Sequence, residues 1–149
     1  MSKSLKTLIK ISKNEVDRLQ KELAELVKLQ DFYRSHIAIF REQIANESKL
    51  SNENFENHEI ASALAKFIIA TNDKIDMAQS QVDKLEIDIS AKRDVLKEAF
   101  SEQKKFEIVQ ATNLENEQYE LNRKVGNRLD EIGISTFIRN EQNEQDPIG

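Results

Sequence analysis

The sequence predicts an all-α fold: two long helices packed as an antiparallel coiled-coil hairpin, the second longer than the first. Three observations lead there. Two interleaved rows, Ile9, Val16, Leu23, Gln30, Ile37, Ile44 and Ser12, Leu19, Leu26, Tyr33, Phe40, Glu47, repeat every seven residues, and nine of the twelve positions are apolar. That spacing puts every member on one side of a helix, and a strict 3.5-residue repeat requires another helix against it. The alternation returns in Leu64, Ile68, Thr71, Ile75, Ala78, Val82, Leu85, Ile89 and Leu96. Between the two repeats, from Asn46 to His58, the seam gives way to Asn46, Asn52, Asn54 and Asn57. One turn there explains both repeats, whereas two parallel chains without a hairpin leave the interruption unexplained.

The first helix is expected over about residues 4–47, with Ser4 as N-cap and Leu5, Leu8 and Ile9 opening the stripe. Arg18 with Glu22 and Lys21 with Glu25 stand four apart on its outer face, each pair contributing a few tenths of a kcal/mol. Residues 48–58 are expected to turn, since Asn tolerates left-handed backbone and caps helices. The second helix is expected over about 59–132. Gly126 weakens it and Gly133 is a candidate terminator. Residues 1–139 then form a single hairpin, and the polar, acidic 140–149, with Pro147, a disordered tail.

Folding the chain at residue 53 pairs residues whose numbers sum to about 106. Phe40 then faces Leu64, Ile37 faces Ile68, Leu26 faces Ala78, Leu23 faces Val82, Leu19 faces Leu85 and Val16 faces Ile89. Gln30 meets Ile75 as a polar interruption of the kind that sets register. Beyond Leu96 the stripe is expected to slip, since Phe100 follows by four rather than three. Gln103 to Ile132 becomes an uncovered overhang with Leu114, Leu121, Val125, Leu129 and Ile132 still striped.

Composition narrows the function. A third of the residues are charged, with three Gly and one Pro in 149, which suits long helices. A net charge of -5 argues against a general nucleic-acid binder. With no Cys there is neither a disulfide framework nor a thiolate zinc site, and no apolar run is long enough to span a membrane. Lys3, Lys6, Lys10 and Lys13 precede the first acid, Glu15, in a transit-peptide-like manner, but Arg is missing and the apolar residues run straight into the seam. His36 and His58 are the only histidines and have no imidazole at helical spacing. No Gly-rich phosphate loop, nucleophile elbow or Ser/His/Asp arrangement is present, so no catalytic, cofactor or metal residue is assigned. A rod about 58 Å long encloses no substrate pocket.

A second stripe lies beside the seam: Leu29, Phe32, His36 and Ile39, echoed by Ile60, Ala63, Phe67 and Ala70. A two-helix seam cannot cover both. It reads either as an exposed patch for a protein partner or as a locally widened core or dimer contact.

Leu5-Lys6-Thr7-Leu8-Ile9-Lys10, Val16-Asp17, Phe100-Ser101-Glu102-Gln103-Lys104-Lys105-Phe106-Glu107 and Leu129-Asp130-Glu131-Ile132-Gly133-Ile134 occur in that order, and nearly the whole chain resembles the flagellar export protein FliJ family. The resemblance implies a cytoplasmic hairpin, similar to the central stalk of rotary ATPases. It implies that the hairpin sits in the export ATPase ring, promotes its turnover, contacts the membrane-embedded export gate and does not itself hydrolyse ATP. On that footing Leu29, Phe32, Tyr33, His36, Ile39, Ile60 and Phe67 are gate-binding candidates at the tip. Tyr33 and Phe67 best match the tip aromatics, although the turn is richer in Asn than the family suggests. Lys3, Lys6, Lys10, Leu114, Leu121, Val125, Leu129 and Ile132 are ring-binding candidates at the open end. The free hairpin is expected to be monomeric, with no nucleic-acid partner and no membrane insertion. A structural tether or adaptor without an ATPase partner is the rival.

Overall fold

The computed structural model describes residues 3–53 and 56–145, and they form two helices, α1 (Lys3–Asn52) and α2 (His58–Gln145). The helices contact each other as an antiparallel hairpin, the second being the longer, and the described residues contain no strand. Contacts divide the chain into two units, Ile11–Ser101 and Met1–Lys10 with Glu102–Gly149.

Within Ile11–Ser101 the seam is the core. Val16, Leu19 and Ile37 of α1 and Ala78, Val82, Leu85 and Ile89 of α2 are buried, Leu19 and Ile89 almost completely. Each buried Val, Leu or Ile side chain contributes about 1.5–3 kcal/mol relative to exposure. Ile37, Ala78 and Val82 form one cluster, against which Tyr33 and Ile75 pack.

The register differs from the expected one. Residue numbers sum to 112 for Gln30 bonded to Val82, to 114 for Glu22 with Lys92 and for Lys74 over Phe40, and to 116 for Gln30 with Glu86. The expected value was about 106, so the seams are displaced by roughly one heptad. Heptad seams match again after a slide of seven residues, so apolar pattern alone cannot choose between the two. Ile37 accordingly shares its cluster with Ala78 rather than facing Ile68. The pairing of Val16 with Ile89 is likewise corrected, although both residues are buried. Gln30 does not meet Ile75. Its buried side-chain amide donates to the Val82 carbonyl at 3.2 Å and to the Glu86 carboxylate at 2.8 Å.

The reason lies at the turn. α1 continues through Asn46 and Glu47 to Asn52, because small polar residues carry the seam onward. Ile37 is buried, Phe40, Ile44 and Ser48 are half-buried and Ser51 is buried again. Neither Ser48 nor Ser51 is apolar, so the hydrophobic pattern ends before the helix does. α2 starts at His58 with Asn57 as its N-cap, whose Oδ1 accepts from the amides of Glu59 at 3.0 Å and Ile60 at 3.4 Å. Asn54, assigned to the turn from sequence, lies outside the described residues.

In the other unit Leu5 is buried and Ile9 half-buried on α1. Ser4 is not an N-cap but stands inside the helix. On α2 the half-buried positions of this unit up to Asn113 are Gln103, Phe106, Glu107, Gln110 and Asn113, and apart from Glu107 they alternate by three and four, in phase with Leu96 and Ala99 earlier in the helix. The expected slip after Leu96 does not occur, for Ala99 keeps the phase and Phe100 is 45% exposed. Beyond Asn113 every described side chain to residue 143 is exposed and only Gly126 is half-buried. The uncovered stretch thus starts later than the expected Gln103. Gly133 does not end the helix, which runs to Gln145. Neither glycine adopts the left-handed backbone that a terminating glycine uses, and residues 140–145, expected in a disordered tail, are helical. Residues 146–149 lie outside the described residues.

Candidate partner-binding surfaces

Apolar grooves flank the seam of Ile11–Ser101. The most aromatic is built on α1 by Phe32, His36 and Phe40, spaced four apart, so that their rings line one helix face. The Phe32 and His36 centroids are 4.4 Å apart and those of His36 and Phe40 5.9 Å, while Phe32 meets Tyr33 edge-on at 5.6 Å. Lys74, Met77, Ala78 and Gln81 of α2 complete the groove. The Lys74 ammonium stands 6.0 Å from the Phe40 ring centroid. No carboxylate lines it, in a chain of net charge -5. Phe32 and Met77 are 55% and 72% exposed, more apolar surface than core packing leaves in water.

The tip residues predicted from sequence therefore do not form one patch. Phe32, Tyr33 and His36 share the aromatic groove. Ile60 and Phe67 line a different one beside the turn, with Glu47, Leu50, Ser51, Ala63 and Leu64. Leu29 belongs to another, with Leu26, Ala91 and Val95 between Glu22, Glu25, Asp88 and Lys92. Ile39 is exposed. The displaced register separates them, because it sets Phe67 near Glu47 rather than near Ile39. Phe40, Lys74 and Met77 were not among the predicted binding residues. The spacing of Phe40 from Phe32 and His36 was the available sign, obscured by its place in the seam.

The other surface belongs to Met1–Lys10 with Glu102–Gly149. Leu114, Leu121, Val125, Leu129 and Ile132 are all exposed, each by about half or more. Tyr119, Ile134, Phe137 and Ile138 add to them, and the last three were missed because a helix end was expected at Gly133. Lys3, Lys6 and Lys10 are exposed in the same unit.

Residues 1–142 match the family model described as "Flagellar FliJ protein". The chain belongs to that family. No curated protein and no solved structure matches it. FliJ-family membership makes this a component of flagellar export. Among the described residues, no helix is long and apolar enough to cross a membrane, and no group of three or more His, Cys, Asp or Glu could hold a metal ion.

Charge on this FliJ-family hairpin is arranged around Glu22. Lys92 of α2 donates to Glu22 Oε2 at 2.7 Å, and Arg18 donates to Oε1 at 2.6 Å. The Lys92 hydrogen bond, followed by the charge of Arg18, holds the Glu22 carboxyl below its ordinary range. Glu15 is lowered mainly by its hydrogen bond from Arg18, whose guanidinium is raised in turn. Glu22 is the one of these acids that ties α1 to α2.

Proposed function

We propose that this FliJ-family chain is a non-enzymatic, cytoplasmic part of the export apparatus that works through two surfaces. The exposed apolar face of α2 from Leu114 to Ile138, with Lys3, Lys6 and Lys10 in the same unit, binds the export ATPase ring and stimulates its turnover. The aromatic groove of Phe32, Tyr33, His36 and Phe40, with the turn-side residues Ile60 and Phe67, contacts the export gate.

The observation that carries this reading is the bare face of α2. An isolated helix gains little stability in water and needs an apolar surface to pack on, yet among the described residues nothing covers this one beyond Asn113. An encircling ring supplies such a surface. The lysines suit acidic ring loops, so the association should weaken with salt.

The test is ATPase stimulation by a Leu121→Ser, Leu129→Ser double variant. Both side chains are exposed, so folding should be preserved while stimulation of the cognate ring falls by tenfold or more. Full stimulation would remove the ring from the proposal and favour a tether. Separately, Phe32→Ser should weaken gate binding with a stability change of only about 0.5 kcal/mol.

A further inference from the structure

The hairpin seam matches itself in two registers one heptad apart. In the described register Ile37 packs with Ala78 and Val82, and Gln30 bonds Val82 and Glu86. Sliding α1 along α2 by seven residues, about 10 Å, brings Leu23 to Val82, Leu19 to Leu85 and Val16 to Ile89. Every one of those contacts is aliphatic, so apolar burial hardly separates the two arrangements.

Polar groups do separate them. Gln30 is 3% exposed and has both of its partners in the described register. After the slide its amide faces Ile75, and a buried amide without a partner costs about 1–3 kcal/mol. Lys92 loses Glu22 as well. The turn permits the movement, because Asn52 offers an N-cap upstream of Asn57.

We infer that the hairpin is a two-register device, in which Gln30 with Glu86 and Glu22 with Lys92 latch one register and a second lies one heptad away. The aromatic groove belongs to the latched register only. Phe32, Tyr33 and Phe40 come from α1 and Lys74, Met77 and Gln81 from α2, so a slide of about 10 Å takes its two walls apart. An occupant of the groove therefore holds the register, and release of the latch empties the groove. Binding and helix position are coupled through one two-state element.

Disulfide trapping in the full-length chain tests this, and the absence of native cysteine keeps the readout clean. Ile37→Cys with Ala78→Cys reports the latched register. Val16→Cys with Ile89→Cys reports the second, because in the latched register these two are offset by more than about 10 Å along the axis, beyond bridging range. Leu19→Cys with Ala78→Cys, a further heptad away, reports general unfolding. At high dilution the first pair should close fastest, the second more slowly, and the third slowest of all. Gln30→Leu removes the penalty in the second register and the bonds in the first, so it should speed closure of the second pair at least about fivefold. Helicity by circular dichroism verifies folding of each variant. If the second pair closes no faster than the third, or is unmoved by Gln30→Leu, the hairpin has one register and the inference fails.

Discussion

Two stretches of α2 carry nearly the same apolar stripe and have opposite fates. From Thr71 to Ile89 the residues Ala78, Val82, Leu85 and Ile89 are buried against α1. From Leu114 to Ile132 the residues Leu121, Val125 and Leu129 repeat a helical spacing and stand in water. Periodicity encodes a face, not the partner that covers it. Coverage depends on how far α1 reaches, and that is set by the turn and by the register.

The largest effect that sharpens this contrast is truncation of matched isoleucines. Ile89→Ala should destabilise the chain by about 3 kcal/mol in urea unfolding, from lost burial plus a cavity, whereas Ile132→Ala should stay within about 0.5 kcal/mol. Equal losses would mean that the second stripe is covered too. Next in size is the cap that positions α2. Asn57→Ala leaves the amides of Glu59 and Ile60 without their acceptor and should lower the melting free energy by about 1 kcal/mol. No change would take Asn57 out of the turn's definition.

A third comparison lies within the exposed stretch. A Cβ added at Gly133 meets nothing within 4 Å and the backbone is not left-handed, so Gly133→Ala should raise helicity, by about 0.8 kcal/mol locally. A glycine that terminated the helix would respond in the opposite direction. The smallest effect is electrostatic. Because the folded-state pKa of Glu22 is depressed, the stabilisation it reflects is present above the unfolded carboxylate value of about 4.3 and is lost as pH falls through the folded value. Lys92→Met should flatten that acid limb in melts taken across it. An unchanged limb would mean that the bond to Lys92 is not what lowers Glu22.

Much of the fold could be read from residues alone. The seam on α1 from Val16 to Ile37 and the seam on α2 from Thr71 to Ile89 follow from spacing, and so does the hairpin that unites them. The turn was legible only in outline, since Ser48 and Ser51 continue the seam without being apolar. Candidate binding residues were legible as exposed stripes, but their grouping was not. Phe67 and Ile39 separate, while Lys74 and Met77 join the aromatics, because grouping across helices depends on register.

By itself the sequence determined the helices, their amphipathic faces and the antiparallel pairing, since a repeat of 3.5 residues is a local property that every residue expresses in its own turn of helix. Only the tertiary structure decided the register and the point at which α2 loses its cover. A heptad seam is nearly unchanged by a slide of seven residues, so its apolar contacts are degenerate. The degeneracy is lifted by groups far apart in the chain whose hydrogen bonds form in one alignment alone, the Gln30 amide on Val82 and Glu86 and the Lys92 ammonium on Glu22.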